Sequence, residues 1–201
     1  MIRAGLTGGF ASGKSFVSRI LEKLGCHVVR ADELGHQVLE PGGEAYSGVV
    51  DLFGPQILNA AGSIERKRLA AEVFDSPERL AQLNAIVHPS VIRIEEEFLR
   101  RAEVADPNGI GIVEAAILIE TGSYKRFDKL ILVACTPEQQ LERAMKRGGY
   151  TRSEVLARLS RQMPVEEKRR YADYVINTSG TEEETVEQTQ EVYRSLRSIE
   201  R

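Results

Sequence analysis

The sequence predicts an α/β protein with a doubly wound, mainly parallel sheet. Short apolar runs alternate with longer segments of helical periodicity, which is the pattern of parallel strands covered by helices. A glycine-rich segment, Gly8–Ser15, follows the first apolar run and precedes the first helical segment. The length of 201 residues suits one compact α/β chain with one or two added segments.

Five short apolar runs are the predicted strands. They cover Ile2–Thr7, His27–Arg30, Ile110–Ile117, Lys129–Ala134 and Tyr174–Asn177. The first helix is predicted over Lys14–Leu24, because Gly25 ends its periodicity. Further helix starts are marked by a capping hydroxyl residue that precedes a proline or a capping-box glutamate. These residues are Ser76, Thr136, Thr151 and Thr181.

A long segment, residues 44–101, departs from the strand–helix alternation. It has helical periodicity and no convincing strand. Breaks are predicted at Gly54-Pro55, Ser76-Pro77 and His88-Pro89. We interpret this segment as a helical insertion into an α/β core. The core segments are residues 1–43, 102–142 and 171–201.

A second unusual segment, residues 143–170, is strongly basic. It carries nine Arg or Lys residues against three Glu, a local net charge of +6 in a chain whose net charge is −3. Taken alone, such a run is interpreted as a solvated helical face. Next to a phosphate-binding motif, it predicts a basic lid over a ligand that carries several phosphates.

Composition limits the classes of function. Hydrophobic residues make up 42% and charged residues 28% of the chain, which is an ordinary soluble composition. The net charge of −3 favours neither a nucleic-acid nor a membrane partner. No signal-peptide pattern precedes Ile2. Cys26 and Cys135 match no metal or redox spacing, so we interpret both as buried hydrophobic residues in a reducing compartment. We expect a cytoplasmic protein that is a monomer or a weak homo-oligomer.

The glycine-rich segment is the most specific motif in the chain. Gly8–Ser15 matches G-x-x-x-x-G-K-[ST] in full. Glycines let the loop curl so that its N–H groups point at phosphate oxygens, and the following helix adds its positive end. Lys14 is then expected to reach the β- and γ-phosphates of ATP, and the Ser15 hydroxyl to bind Mg²⁺. With a strand before it and a helix after it, the motif predicts the P-loop NTPase fold.

Other P-loop classes lack support in the sequence. The guanine-reading pattern Asn-Lys-x-Asp is absent, and Asp51–Gly54, which has the form D-x-x-G, follows no predicted strand. A mechanical ATPase usually has a long apolar strand that ends in aspartate, whereas Ile110–Glu114 ends in glutamate. The remaining class is a small-molecule kinase, which needs a carboxylate near the acceptor hydroxyl. Asp32 follows the second strand and fits that role, but an N-cap for a helix beginning at Glu33 fits equally well.

Two other functions stay open at this level. A small kinase for a nucleotide or for a polyol acid such as shikimate also places a carboxylate after the second strand. A non-catalytic sensor would bind ATP and report it through lid closure. A nucleic-acid-binding role is disfavoured, because the local basic excess has no aromatic platform beyond Tyr150 and Tyr171.

Several linked motifs resemble the dephospho-coenzyme A kinase family, nearly from end to end of the chain. They are Leu6–Ser15, Val29–His36, Glu40-Pro41-Gly42, Leu83–Pro89, Glu114–Gly122, Arg161-Gln162, Ala172–Asn177 and Gly180. Three residues depart from the pattern. Arg30 stands where the family usually has an aspartate, and Glu114 and Ala116 replace an aspartate and a proline.

The resemblance implies transfer of the ATP γ-phosphate to the ribose 3′-hydroxyl of dephospho-coenzyme A. Asp32 would then be the base that activates the acceptor, and Arg147 the first candidate for stabilising the moving phosphoryl group. Residues 44–101 would bind the acceptor, and residues 143–170 would form the lid. The implied ATP-binding residues are Gly9, Phe10, Ala11, Ser12, Gly13, Lys14, Ser15, Phe16, Asn177 and Gly180.

Two histidines remain ambiguous. His36 lies one helical turn after Asp32, so it either lines the acceptor pocket or is a histidine on the helix surface. His88-Pro89 is interpreted as a structural helix start rather than as a chemical group.

Overall fold

The computed structural model describes residues 1–199. These residues form two compact units. The first consists of Met1–Arg30 and the described residues from Leu99 onward, and it contains the sheet. The second consists of Ala31–Phe98 and is helical.

A five-stranded parallel sheet organises the first unit. Its strands are β1 Ile2–Gly8, β2 His27–Arg30, β3 Ile110–Glu114, β4 Lys129–Ala134 and β5 Tyr174–Asn177. All five predicted strands are confirmed, but β3 ends three residues earlier than expected. The residues after Glu114 enter a turn instead of extending the strand. In this turn, the Ile117 carbonyl accepts hydrogen bonds from the N–H and the hydroxyl of Thr121 and not from a neighbouring strand.

The order of the strands is β2-β3-β1-β4-β5. The chain leaves β1 toward one edge of the sheet and leaves β3 toward the other, so the loops after these two neighbouring strands diverge. In an open α/β sheet, this switch point is where ligands bind. The doubly wound parallel sheet predicted from the sequence is therefore present, and its switch point lies between β1 and β3.

Nine α-helices lie within residues 1–199. They are α1 Lys14–Lys23, α2 Ala31–Gln37, α3 Tyr46–Phe53, α4 Arg66–Phe74, α5 Pro77–Ala105, α6 Pro137–Lys146, α7 Arg152–Ser160, α8 Val165–Lys168 and α9 Glu182–Arg197. Thr136, Thr151 and Thr181 each close a capping box, which confirms three of the predicted helix starts. None of these helices combines the length and the apolar character that crossing a membrane requires.

The core of the sheet unit is formed by apolar residues from the strands, α1 and α9. Buried members include Leu6, Val17, Ile112, Ile131 and Leu196. Both cysteines are also buried, as predicted. Burial raises the pKa of the Cys26 thiol to about 12, so this thiol stays protonated and acts as a small hydrophobic group.

The helical unit has its own small core, centred on Val49, Phe53, Ile57 and Leu69. The predicted breaks at Gly54-Pro55 and Ser76-Pro77 are confirmed, because α3 ends at Phe53 and α5 begins at Pro77.

The prediction for His88-Pro89 was wrong, because α5 continues through Pro89. A proline removes one backbone donor from a helix. Apolar residues on both sides of it are held by packing, since Ile86 and Val87 pack on the core of the helical unit and Val91 is buried. His88 therefore lies in the middle of α5 and not at a helix start. Its partial burial lowers the pKa of its imidazole.

Candidate active site

The phosphate loop connects the end of β1 to the start of α1. Ala11 and Gly13 have left-handed backbones, with φ of 57° and 96°, which curl the loop back on itself. Gly8 has no room for a side chain, because a Cβ there would lie 2.4 Å from the Val133 carbonyl oxygen of β4. The motif glycines thus serve two purposes, close packing against β4 and the turn into α1.

Lys14 occupies the first position of α1 and is only 9% exposed. Its Nζ donates to the carbonyl oxygens of Gly8 and Gly9, at 3.0 and 3.1 Å. The ammonium group is therefore held against the loop that the sequence assigns to phosphate binding. An anion that binds in the loop meets a positive charge already positioned there.

The next residue, Ser15, faces the end of the neighbouring strand. Its Oγ donates to Oε1 of Glu114 at 3.2 Å, across the switch point between β1 and β3. Glu114 is the last residue of β3 and is 6% exposed. A hydroxyl and a carboxylate are the oxygen ligands that Mg²⁺ prefers, and Mg²⁺ typically takes only one or two protein groups besides phosphates and water. The residues present therefore fit this ion.

Glu114 also pairs with Arg30, so two of the three departures from the family pattern lie in contact. The two residues are direct partners in the β2–β3 ladder. Arg30 Nε lies 3.5 Å from Glu114 Oε2, a separation at which the charges attract although Oε2 accepts no hydrogen bond within the described chain. The sequence identified Glu114 only as a departure from the family pattern and did not show that it lies next to Ser15.

Ser12 contributes a buried hydroxyl to the loop. The residue is 1% exposed, and its Oγ has no hydrogen-bond partner within residues 1–199. A buried polar group without a partner is costly, so a ligand that supplies an acceptor stabilises this arrangement. A phosphate oxygen is such an acceptor.

The tip of the loop, Phe10, is clamped by residues of the basic segment and α6. Its N–H donates to Oε1 of Gln162 and its carbonyl accepts from Nε2 of Gln140, both at 2.8 Å. The ring meets Tyr150 edge-on at 5.4 Å, and the Arg158 guanidinium lies 5.3 Å from the Phe10 ring and 4.6 Å from that of Tyr150. The sequence did not reveal this clamp, although Gln162 belongs to one of the family motifs.

A cavity of about 570 Å³ borders this part of the loop. Its wall includes Gly9, Ser12, Cys135, Gln140 and Gln162. This volume is within the range of pockets that hold small ligands. The phosphate loop and the basic segment therefore enclose a space of ligand size.

The predicted adenine-side residues lie in a well-braced turn between β5 and α9. Gln188 of α9 accepts from the Asn177 N–H and donates to the Asn177 carbonyl, at 2.8 and 3.0 Å. Gln139 of α6 donates to the Ser179 carbonyl at 2.8 Å. Gly180 leaves space for the Glu184 carboxylate of the α9 capping box. The turn is thus preformed, while its role in binding adenine stays a prediction.

Thr178 joins that turn to the phosphate loop. It is 5% exposed, and its hydroxyl donates to the Ser12 carbonyl at 2.7 Å. The same hydroxyl accepts from Nη1 of Arg143 at 3.0 Å. Its methyl group lies under Gly13, because a Cβ at that glycine would be 3.3 Å from Thr178 Cγ2. The sequence did not single out Thr178 or Arg143, which are separated from the loop by more than a hundred residues.

We expect Thr178→Val to weaken ATP binding and to lower the free energy of unfolding by about 1–3 kcal/mol, because it leaves the Ser12 carbonyl without its hydroxyl partner in a buried site. It also removes one of the two hydrogen bonds from Arg143 to Thr178, while the bond to the Thr178 backbone carbonyl remains. Thr178→Ser keeps the hydroxyl and is the matched control, with both properties near wild type. Nucleotide titration and thermal unfolding measure the two effects. A valine variant that binds ATP and melts like the wild type would contradict this role.

The two other predicted catalytic residues lie in different units. Asp32 is exposed in the first turn of α2, and its carboxylate accepts no hydrogen bond within the described chain. Because α2 begins at Ala31, Asp32 is not the N-cap, and that alternative is excluded. Arg147 is the C-terminal cap residue of α6, and its side chain is exposed to solvent. His36 is also exposed, in the last turn of α2, and its place in the acceptor pocket stays a prediction.

The fold and the phosphate loop define a class of protein. A parallel sheet has its switch point at a full P-loop. The P-loop lysine is held against the loop carbonyls, and the P-loop serine donates to a buried carboxylate. These features are those of a P-loop phosphotransferase of the small-molecule kinase class. Comparison with known proteins narrows the class to one family.

The family model for dephospho-CoA kinase matches residues 2–184. The dephospho-CoA kinase of Carboxydothermus hydrogenoformans is 42% identical over 92% of this chain and 89% of its own length. The crystal structure of TT1252 from Thermus thermophilus superposes with a TM-score of 0.85 at 36% identity and covers 96% of each chain. The dephospho-CoA kinase of Campylobacter jejuni has a TM-score of 0.68 at 26% identity, again over 96% of each chain. The chain belongs to the dephospho-CoA kinase family and is an ATP-dependent kinase.

Proposed function

We propose that this protein transfers the γ-phosphate of ATP to the ribose 3′-hydroxyl of dephospho-coenzyme A, giving coenzyme A and ADP. The contact that carries the proposal is the one between Ser15 and Glu114, 3.2 Å apart beside Lys14 at the switch point of the sheet. A hydroxyl and a carboxylate next to the P-loop lysine are the kinds of group with which P-loop kinases hold Mg²⁺ and the phosphates of ATP. Membership of the dephospho-CoA kinase family supports the choice of acceptor.

In this proposal, the loop amides and Lys14 hold the phosphate chain. Lys14 exchanges its bonds to the Gly8 and Gly9 carbonyls for bonds to phosphate oxygens, which are stronger because both partners are charged. Ser12 donates its buried hydroxyl to a further phosphate oxygen. Asn177 and Gly180 border the adenine ring. Phe16 follows Ser15 in the first turn of α1 and is the last residue assigned to the phosphate-binding segment.

Ser15 and Glu114 would hold Mg²⁺ together with the phosphates. When bound, the ion neutralises charge on the phosphate oxygens. The two side chains would also fix the phosphate chain relative to the end of β3. Ser15 lies on α1, and Glu114 ends β3, the strand next to β1.

We assign the acceptor side of the reaction to Asp32 and Arg147. Asp32 accepts the proton of the ribose hydroxyl, or orients that hydroxyl, as its oxygen attacks the γ-phosphorus in line with the leaving ADP. The Asp32 carboxylate is exposed and accepts no hydrogen bond within residues 1–199, so its lone pairs are available for an incoming hydroxyl. Arg147, with its exposed side chain, stabilises charge on the phosphoryl group in transit.

Two segments receive roles from this assignment. Residues 44–101 bind the body of the acceptor, and residues 143–170 act as a lid that excludes water during transfer. The clamp on Phe10 supports the second role, because a change in the basic segment reaches the phosphate loop through Gln162. We further propose that the chain works in the cytoplasm, where ATP is abundant, as a monomer or a weak homo-oligomer and without a nucleic-acid partner.

The decisive experiment measures ADP release by the purified protein with Mg-ATP and each of several acceptors. We expect release that depends on dephospho-coenzyme A, with coenzyme A detected as the product by mass spectrometry. AMP, shikimate and a reaction without acceptor are the controls. Turnover with one of these acceptors and none with dephospho-coenzyme A would refute the acceptor assignment but keep the kinase class.

A further inference from the structure

Arg30 and Glu114 place two opposite charges directly beside the phosphate loop. They are paired residues of the parallel β2–β3 ladder, so their side chains leave the sheet on the same face. Arg30 Nε lies 3.5 Å from Oε2 of Glu114, while Oε1 of the same carboxylate accepts from Ser15 Oγ at 3.2 Å. One carboxylate is thus shared between a cation of the protein and the hydroxyl of the phosphate loop.

Further contacts hold the Arg30 guanidinium in place. Its Nη2 donates to Oε2 of Glu22 at 2.8 Å and to Oγ of Ser18 at 3.5 Å, and both residues lie on α1. The side chains of Arg30 and Glu114 are 24% and 7% exposed, so solvent screens the pair less than a surface ion pair. Within the described part of the chain, Glu114 without Arg30 would be a buried carboxylate whose hydrogen-bond donor is a single hydroxyl, that of Ser15. Such a carboxylate strongly favours the arrival of another cation.

We propose that the Arg30 side chain is the counter-cation of Glu114 and that a divalent metal ion must partly displace this arginine to bind. Arg30 thereby sets how strongly the binding of metal and the binding of nucleotide are coupled. Arg30 acts through the carboxylate and is therefore a positioning residue. The arginine neutralises Glu114 before the metal ion arrives, and two cations close to one carboxylate repel each other. The proposal rests on the proposed metal site, and it is independent of which acceptor the enzyme phosphorylates.

The test compares the affinity for ADP in excess Mg²⁺ with the affinity in EDTA, both by titration calorimetry. The dissociation constant in EDTA divided by the dissociation constant in Mg²⁺ measures the coupling between metal and nucleotide, and a larger ratio means stronger coupling. We expect Arg30→Met to increase this ratio about threefold or more. Arg30→Gln, which keeps hydrogen-bond donors for Glu22 and Ser18 but has no charge, is expected to do the same. The titrations measure binding and require no turnover, so their result is valid even if dephospho-coenzyme A is not the acceptor.

Two further variants show whether the effect is local. Arg3 is a matched control, because it is also a strand arginine, is 26% exposed and bonds to Glu103 at 2.9 Å, at the other end of β1. Arg3→Met should keep the wild-type ratio. In a Glu114→Gln background, Arg30→Met should change the ratio by less than about twofold.

A wild-type ratio in both Arg30 variants, each first shown to unfold cooperatively, would overturn the proposal. An undiminished increase in the Glu114→Gln background would overturn action through the carboxylate.

Discussion

Replacement of Asp32 by asparagine is expected to reduce turnover by about 10²- to 10⁴-fold, the usual contribution of a positioned general base. Asparagine has nearly the same shape, but its amide does not accept the proton of the ribose hydroxyl. Affinity for ATP should stay close to that of the wild type, because the phosphate loop and its lysine are unchanged. Steady-state kinetics with dephospho-coenzyme A and nucleotide titration without acceptor measure the two quantities separately.

The neighbouring carboxylate provides the control for this substitution. Glu33 follows Asp32 in α2 and is also exposed, so Glu33→Gln removes the same charge from the same turn of the helix. We expect turnover within the range of the wild type for this variant. Near-normal turnover in Asp32→Asn would refute the base assignment. Loss of ATP binding in that variant would instead point to a structural role.

Replacement of Lys14 by alanine should impair both ATP binding and phosphoryl transfer. A hydrogen bond to a charged group contributes about 1.5–3 kcal/mol, so loss of the ammonium should weaken ATP binding about 10- to 100-fold. The same charge faces the phosphoryl group as negative charge develops, and loss of one such donor typically lowers turnover by about 10²- to 10³-fold. Nucleotide titration and kinetics at saturating ATP separate the two contributions.

Lys23→Ala is the matched control, because Lys23 ends the helix that Lys14 begins and is exposed. It should leave ATP affinity and turnover near wild type. In Lys14→Ala, thermal unfolding serves as a check on the fold, since the lysine also bonds to the Gly8 and Gly9 carbonyls. A folded Lys14→Ala protein that binds ATP normally would argue against the phosphate loop as the ATP site.

Structural features that depend on residues close together in the sequence were predicted correctly in most cases. The bounds of β2, β4 and β5 and the caps at Thr136, Thr151 and Thr181 agree with the structure. Strand and helix periodicity, capping and the curl of a glycine loop depend on residues a few positions apart, so the sequence contains what decides them. The end of β3 and the course of α5 through Pro89 were missed because packing and turn contacts override local signals there.

The sequence by itself therefore determined the fold class, the P-loop and the expectation of a kinase, and the linked motifs pointed to the family. Only the tertiary structure placed Glu114 at the Ser15 hydroxyl, 99 residues away, and Thr178 at the Ser12 carbonyl, 166 residues away. The same holds for the pairing of Arg30 with Glu114. The physical reason is that parallel strands bring together residues from distant parts of the chain, and their order in the sheet is set by burial of the whole core rather than by any short pattern.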